Sequence, residues 1–543
     1  MNNKRKTGKN QVVWPAVLLA GLMLFSGCSQ QGGQEQLEQP ESSIQETGGN
    51  VESSSRKEGA EAEKEVEQKR IETAPGQDTI IRTPAPVLSS THWQDNRYAE
   101  DGTLLAEGSF QALEVSPEGY EAVAESIKEW FVGEEEEFLQ SMNAQEELAL
   151  EAYENLPSFF TYYTHREYSS TRADNSVISI ACLYDGYYGG AHGIYGTTGT
   201  TFDAGTGEKL SFWDLTDNQE EFAGKTLAYC LKLVEEKYEK MLFADYEATI
   251  RAGWKEEPNW YLDGAGITII FNPYEIGPYA MGEGKITLPY SEFSELLLPE
   301  YQWENQAGVA VLSEGVEAEV SLGQAAGQRE SIQLFARPID EENYGLRTYA
   351  LELGEKTEMV AEMDRLVSAY LLQREDGRSF LLFYGDMASE DYVTYLYELT
   401  DGMIRKTDGG EIGAFIQEGS VTTQGLTLGI RVDALGTHTA YGDYRLTKEG
   451  NLEMEGEWYS IPESPLLTTV RELPVMVDGK EGVLPAGSRI QLTGTDGKGV
   501  LLYQKINSTE MGQIHFTRGE NGESVYIDGI EEEAYFENLL YVG

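Results

Sequence analysis

The chain has 543 residues, of which 40% are hydrophobic, 11% aromatic and 24% charged. That composition excludes collagen-like, coiled-coil and fully disordered proteins, and the length predicts about three to four domains. Aspartate and glutamate number 93 against 40 lysine and arginine residues, which gives a formal net charge of −53. This charge argues against nucleic acid as a partner, because phosphate binding needs clustered basic side chains. A cationic partner would instead be attracted from a distance.

The N-terminus resembles a bacterial lipoprotein signal. Four basic residues precede a largely apolar run from Val12 to Phe25, which is short for a membrane-spanning helix. The run ends in Phe25-Ser26-Gly27-Cys28, which resembles a lipobox although Phe25 stands where leucine is usual. We therefore predict a signal peptide over 1–27 and a lipid anchor on Cys28, on the extracytoplasmic side of a bacterial cell membrane. A plain secretory signal and an uncleaved anchor are the alternatives.

Residues 28–90 are predicted to form a disordered tether. From Ser29 to Val87 the sequence is rich in Gln, Glu, Ser and Gly and contains no aromatic residue. Such a segment cannot bury enough apolar surface to offset the entropy that is lost on ordering. Aromatic residues return at His92-Trp93, so we expect the folded part to begin near residue 91.

Residues 91–303 combine helical and strand patterns, which predicts an α+β domain. Ser116 followed by Pro117 is typical of a helix start. Two further helices are predicted at Phe138–Leu156 and Leu215–Tyr238, where apolar residues recur at helical spacing. Buried strands are predicted at Ser176–Tyr184, Gly266–Phe271 and Lys285–Tyr290.

From residue 304 onward, turn signals separate short apolar runs. Seven Asp-Gly or Asn-Gly pairs begin at residues 376, 401, 408, 478, 496, 521 and 528. Such pairs are the strongest short signal for a β-hairpin, so this part is predicted to be mostly antiparallel β. We predict a β-rich domain over 304–465 and a small β domain over 466–543. An SH3-like barrel is one architecture that fits the smaller domain.

Several motifs between residues 189 and 280 match a known extracytoplasmic domain. They are Gly189-Gly190-Ala191-His192-Gly193, Phe202-Asp203-Ala204-Gly205-Thr206-Gly207, Trp260-Tyr261-Leu262 and the run from Phe271 to Ala280. In this order they resemble the domain of RsiV-type anti-sigma factors, which is also the accessory domain of PdaC-type peptidoglycan deacetylases. The resemblance covers about residues 91–301 and implies a receptor for lysozyme. It implies neither sigma binding nor deacetylation, because the sequence shows no sigma-binding part and no deacetylase domain.

Four residues in these motifs are predicted to contact a ligand: Pro273, Tyr274, Tyr279 and His192. Proline restricts the backbone and tyrosine is a low-entropy contact residue, so the run from Phe271 would form a stiff aromatic platform. The alternative is a buried turn that packs both tyrosines into the core. His192 lies in a Gly-rich turn, where it either contacts a ligand or fixes the loop by bonding backbone groups.

The sequence contains no recognised catalytic or metal motif, and we predict neither enzymatic activity nor a cofactor. Cys182 and Cys230 lie among apolar residues, which favours reduced, packed thiols over a disulfide. We therefore expect a surface-tethered binding or sensor lipoprotein. Its ligand would be lysozyme, another cationic protein or cell-wall glycan. A cell-wall hydrolase with an unrecognised site and a structural envelope module are the alternatives.

Overall fold

The computed structural model describes residues 82–303, 306–322, 329–337, 346–387, 391–462, 464–519, 522, 524–537 and 539–541. The predicted signal peptide, Cys28 and most of the predicted tether lie outside these residues. The tether is predicted to reach residue 90, but residues 82–90 belong to the folded part, and β1 begins at Leu88. The Arg82 side chain is buried and donates hydrogen bonds to the Arg374 carbonyl oxygen at 2.8 Å and to Ser321 Oγ at 3.0 Å. No helix in the described ranges is long and apolar enough to cross a membrane.

The part before residue 304 contains four α-helices and nine strands among its described residues. The helices are α1 Glu121–Asn155, α2 Gln219–Tyr238, α3 Tyr246–Glu256 and α4 Tyr290–Phe293. The strands are β1 Leu88–Tyr98, β2 Leu104–Val115, β3 Tyr162–Asp174, β4 Val177–Tyr187, β5 Ile194–Asp203, β6 Lys209–Leu210, β7 Trp260–Leu262, β8 Gly266–Phe271 and β9 Gly284–Pro289.

The part after residue 304 is built from strands in its described ranges. They are β10 Gly308–Val311, β11 Ala318–Ser321, β12 Arg329–Ala336, β13 Arg347–Leu353, β14 Lys356–Met363, β15 Arg365–Gln373, β16 Ser379–Asp386, β17 Tyr392–Glu398, β18 Arg405–Ile412, β19 Phe415–Ile416, β20 Gly425–Asp433, β21 Thr437–Leu446, β22 Leu452–Met454, β23 Tyr459–Ser460, β24 Leu467–Thr468, β25 Leu473–Val477, β26 Lys480–Leu484, β27 Arg489–Thr495, β28 Val500–Lys505, β29 Met511–His515, β30 Thr517–Arg518, β31 Val525–Ile527 and β32 Ile530–Glu531.

Two large sheets run through the predicted domain boundaries. The first has the order β18-β17-β16-β15-β10-β3-β4-β5-β6, with β2 beside β3 and β1 beside β2. Its strand β10 pairs with β3 on one side and with β15 on the other, so hydrogen bonds cross the boundary predicted at 303/304. The second has the order β19-β20-β21-β23-β27-β28-β29-β25-β26. Pairing of β23 with β27 crosses the boundary predicted at 465/466.

The fold is mostly antiparallel β with few helices. The predicted sequence of an α+β domain followed by separate β domains is a finer division than this architecture shows. Among the described strands, β2 and β3 pair in parallel, and α1 connects those two strands as a crossover. Hairpin chemistry accounts for part of the antiparallel content. Asp478 and Asp528 have φ of 50° and precede glycines of positive φ, as a two-residue hairpin turn requires. Asp408-Gly409 was predicted as a turn but lies inside β18, where the pairing register shifts.

Helix α1 corrects the prediction of two helices in this region. Pro117 forms a turn, in which its carbonyl oxygen accepts from the Tyr120 amide at 3.0 Å, and one uninterrupted helix follows over Glu121–Asn155. Its buried face packs on β1 and β2. There the Trp93 ring meets Phe110 and Phe138, with ring centroids 5.5 and 5.3 Å away. The helix therefore covers one face of the first sheet.

The other predicted elements of this part are present. The predicted buried strands correspond to β4, β8 and β9, and the helix predicted at Leu215–Tyr238 corresponds to α2. That helix begins later than predicted, because the Asn218 side chain caps it by accepting from the Glu221 amide. Cys182 and Cys230 are both free and buried, as expected. Burial raises the pKa of the Cys230 thiol to about 12, so this group stays a neutral, packed thiol.

Candidate binding surface

The face of the first sheet opposite α1 is polar and open to solvent between β1 and β5. On β3, Tyr168 points toward α1 and packs on Trp130 and Phe131, so the alternating neighbours Tyr163, His165 and Glu167 point the other way. Strand register then places a row of side chains across this face. The row is Gln94, Ser109, His165, Asp185 and Tyr195, all of them exposed or half-buried. We call these residues, with Tyr163 and Glu167, the open sheet face.

A loop after β8 borders this face at the β5 edge. Its first residue, Asn272, accepts from the Thr197 amide at 2.8 Å and donates to the Thr197 carbonyl oxygen at 3.2 Å. Asn259 donates to the same carbonyl at 2.7 Å. These bonds satisfy backbone groups of β5. Further along, the fully buried Ile276 accepts a backbone bond from Phe243. The loop is therefore fastened at its start and in its middle.

Four aromatic rings meet where this loop reaches the Gly-rich turn. The His192 and Tyr279 rings stack with centroids 4.3 Å apart and an interplanar angle of 26°. Tyr274 lies 5.7 Å from Tyr279, and its hydroxyl is 3.4 Å from His192 Nε2. Tyr195 meets Tyr279 edge-on at 5.6 Å. We call His192, Tyr195, Tyr274 and Tyr279 the aromatic patch.

Tyr274 occupies an unusual backbone conformation within this patch. Its φ is 73°, in the left-handed region that bulky residues rarely adopt, and its side chain is 55% exposed. Such strain persists only where the surroundings impose it, and it is concentrated at functional sites. The fastened loop therefore holds a tyrosine ring out toward solvent instead of burying it.

Carboxylates surround the aromatic patch. Glu275 is exposed directly beside Tyr274, and Asp185 lies opposite Tyr195 in the β4–β5 ladder. Burial raises the pKa of Tyr195, and the neighbouring Tyr279 and Glu283 raise it further. Lys285 pairs with Glu283 at 3.0 Å and offsets part of this negative charge. The surface thus combines aromatic faces with acidic groups, which together suit cationic side chains.

The structure brings together the four side chains predicted to contact a ligand. Pro273 is half-buried and precedes Tyr274 directly. The exposure of Tyr274 excludes the buried-turn alternative for that ring, whereas Tyr279, which stacks on His192, is half-buried. His192 is exposed, and its Nδ1 lies 2.7 Å from the Gly193 carbonyl oxygen. The ring is therefore available to a ligand and also bonds the backbone of its own loop, as the loop-fixing alternative requires.

Sequence reasoning missed Tyr163, His165 and Asn272 as parts of this surface. The ring of Tyr163 stacks on His165 at 5.0 Å, and its hydroxyl approaches the turn at Gly193. The alternation of polar side chains at 163, 165 and 167 could have predicted this surface, because every second side chain of a strand points to the same face. Across the described ranges, no group of three His, Cys, Asp or Glu side chains could hold a metal ion.

Comparison with known proteins identifies one domain. A solved structure of a DUF3298 family member from Bacteroides fragilis NCTC 9343 is 20% identical, with a TM-score of 0.30, and the match covers 40% of this chain and 96% of that one. A DUF3298 family protein from Pseudomonas aeruginosa PAO1 is 18% identical, with a TM-score of 0.26, over 42% of this chain and 99% of that one. No curated protein matches the chain. Residues 215–291 match the family model described as a protein of unknown function, DUF3298, so the chain contains a DUF3298 domain.

Proposed function

We propose that this protein is a lipid-anchored extracytoplasmic binding protein whose aromatic patch captures a cationic protein. The observation that carries the proposal is the exposed, strained Tyr274 beside the His192–Tyr279 stack. Aromatic side chains with few rotatable bonds form the energetic centre of many protein interfaces. A ring that is already held in place loses little further entropy when a partner binds.

Charge selects the class of partner. The chain has a formal net charge of −53, and Glu275 and Asp185 add local negative charge at the patch. Lysine and arginine side chains can stack on the tyrosine faces while they pair with these carboxylates. Long-range attraction would then raise the association rate, and the packed rings would set the dissociation rate.

Two sequence features support the location and the choice of probe. The run that ends at Cys28 resembles a lipobox, which would tether the chain outside the membrane. The motifs from Gly189 to Ala280 resemble the domain of RsiV-type proteins, for which lysozyme is a ligand. Lysozyme is therefore the first cationic protein to test against this patch.

The test is a binding measurement of immobilised chain with lysozyme over a salt series. We expect association to slow markedly between about 50 and 500 mM salt, because screening shortens the reach of charge–charge attraction. Tyr274→Ala and Tyr279→Ala should speed dissociation by about tenfold or more, since the loss of an aromatic interface anchor costs roughly 1–2 kcal/mol or more. The salt dependence of association should stay as in the wild type.

A matched control is Trp458→Ala, which removes an aromatic side chain that is 38% exposed and is not one of the four patch residues. It should leave both rates unchanged. Circular dichroism and a melting curve check that each variant is folded. The proposal fails if the wild type does not bind lysozyme at low salt, or if both folded tyrosine variants dissociate as slowly as the wild type.

A further inference from the structure

A second candidate site, which shares Gln94 and Glu167 with the open sheet face, lies between β1 and the sheet that contains β20 and β21. It is an open groove with a volume of about 2080 Å³ among the described residues. Pockets for small molecules usually enclose roughly 300–1,000 Å³, so this open space is larger than a typical small-molecule pocket. Its wall on β1 extends from Ser90 to Tyr98, which corresponds to roughly 27 Å of strand. These dimensions suit an extended chain molecule.

Each wall of the groove is one face of a strand. On β1 the even-numbered side chains line it, among them His92, Gln94, Asn96 and Tyr98, while Trp93 packs under α1. On β21 the odd-numbered side chains Thr437, Thr439, Tyr441, Asp443 and Arg445 line it. Their alternating neighbours on β21, such as His438 and Ala440, are buried. The two walls therefore present mainly amides, hydroxyls and rings toward each other.

An aromatic shelf lies on the β21 side. The Phe415 ring rests directly on Gly429, where a Cβ atom would come within 2.2 Å of it. Tyr441 pairs with Gly429 across the ladder and meets the Phe415 ring edge-on at 5.9 Å. Gly429 thus permits a flat ring to lie against the sheet, and the two rings form an apolar floor in an otherwise polar groove.

Several carboxylates of the groove are already engaged by the protein. Glu418 accepts hydrogen bonds from Tyr370 at 2.6 Å, Ser368 at 2.9 Å and Tyr384 at 3.1 Å. Asp443 accepts from Thr427 at 2.6 Å, and Glu453 pairs with Arg445 at 2.9 Å. Seven carboxylates but only Arg374, Arg445 and Lys448 as permanently charged bases line the groove. A polyanion would be repelled here.

We propose that this groove binds an extended, uncharged polysaccharide. Sugar hydroxyls both donate and accept hydrogen bonds, and the amides of Gln94 and Asn96 and the hydroxyl of Thr439 do the same. These three side chains are exposed to the groove, and the protein's own side chains hold four of its seven carboxylates, Glu375, Glu418, Asp443 and Glu453. The Phe415–Tyr441 shelf and the 57% exposed Tyr98 ring would contact the apolar faces of the sugar rings.

The experiment uses chitin oligosaccharides as the uncharged probe. Calorimetric titration of the folded chain with the dimer, tetramer and hexamer should show affinity that rises with length, because the groove would offer consecutive subsites. The double variant Gln94→Ala/Asn96→Ala and the single variant Tyr441→Ala should each weaken hexamer binding by about tenfold or more. Phe160→Ala, which removes a 70% exposed ring outside the groove, is the matched control and should bind as the wild type does.

The outcomes separate this site from the aromatic patch. Hexamer binding that is lost in the folded groove variants supports the groove proposal, whether or not the chain binds lysozyme. Equal affinity for dimer and hexamer, or unchanged hexamer binding in both folded groove variants, overturns it. Displacement of the hexamer by oligolysine, with no effect of Gln94→Ala/Asn96→Ala on oligolysine binding, would identify a cationic-peptide site instead. Shortened oligosaccharide after incubation would show a hydrolase and would also contradict simple binding.

Discussion

Strand β3 carries polar side chains at both of its ends, and the two ends lie in opposite environments. Near its start, Tyr163 and His165 lie on the open sheet face. Near its end, Arg172 and Asp174 are completely buried, with their charged atoms 2.6 Å apart. A register shift between Ser170 and Arg172 reverses the alternation, so Ala173 packs on the α1 side and Arg172 points away from it.

The buried end satisfies its polar groups within the protein. Arg172 donates to Tyr290 Oη at 2.8 Å and to the carbonyl oxygens of Tyr301 and Gln302 at 2.6 and 3.1 Å. Tyr290 in turn donates to the Asp263 carbonyl oxygen at 2.9 Å. We call Arg172, Asp174, Asp263 and Tyr290 the buried polar cluster.

The comparison separates polar residues that build the fold from polar residues that are available to a partner. Buried polar groups must be paired because an unpaired one costs free energy, and the cluster meets this requirement. The open sheet face and the aromatic patch remain in water, where their hydrogen-bonding groups and rings can still bind another molecule.

The largest effect is expected from Arg172→Ala. It would leave Asp174 buried without its cation, and removal of one partner from a buried pair costs roughly 3–5 kcal/mol of unfolding free energy. Urea unfolding followed by tryptophan fluorescence would measure the loss, since Trp303 lies against Arg172. The matched control is Arg251→Ala, which breaks an exposed pair with Glu247 and should cost about 0.5 kcal/mol or less. Similar losses in both variants would show that the cluster does not stabilise the fold.

The second prediction concerns Asp263, a fully buried member of the cluster. Burial raises its pKa to about 6, against the opposing effect of bonds from Thr268, Ala265 and Gly266 and of the charge on Arg172. The folded state therefore holds this proton more tightly than the unfolded state. Protonated Asp263 therefore contributes up to roughly 3 kcal/mol to the free energy of unfolding. This contribution is complete below about pH 4 and is lost as the pH rises through 6.

Asp263→Asn tests that linkage, because an amide does not titrate. Between pH 4 and pH 7 we expect the unfolding free energy of the wild type to fall relative to that of the variant. Urea titrations at several pH values would measure this difference, in which the titration of all other groups cancels. A difference that stays constant over this range would mean that Asp263 is ionised throughout.

Sequence patterns predicted individual strands and helices better than they predicted which elements pack together. Strands β4 and β8 were found because their apolar runs are continuous and bounded by turn residues. Helix α1 was divided in two because a run of four glutamates follows Gly133. The helix continues there because Phe131, Phe138 and Met142 keep one buried face in phase.

Contacts between distant segments account for what the sequence did not predict. Arg172 and Tyr290 are 118 residues apart, and no local pattern indicates that they meet. A domain boundary is predicted at 303/304, but the four residues of β10 pair with β3 on one side and with β15 on the other, so one sheet extends across it. The patch was partly predictable because Pro273, Tyr274 and Tyr279 are close in sequence. The groove was not, because its two walls come from residues near 90 and near 440.

The smallest effect on stability is expected from His165→Ala at the other end of β3. Its ring is half-buried on the open sheet face, where it stacks on Tyr163 with an interplanar angle of 23°. Loss of that stack should cost about 0.5–1.5 kcal/mol at most, measured by the same urea unfolding experiment. Tyr168→Ala is the internal standard, because this side chain is fully buried three residues along the strand and its loss should cost roughly 3–5 kcal/mol. If His165→Ala costs as much as Tyr168→Ala, the open face is part of the core. Its side chains would then not be available to bind a partner.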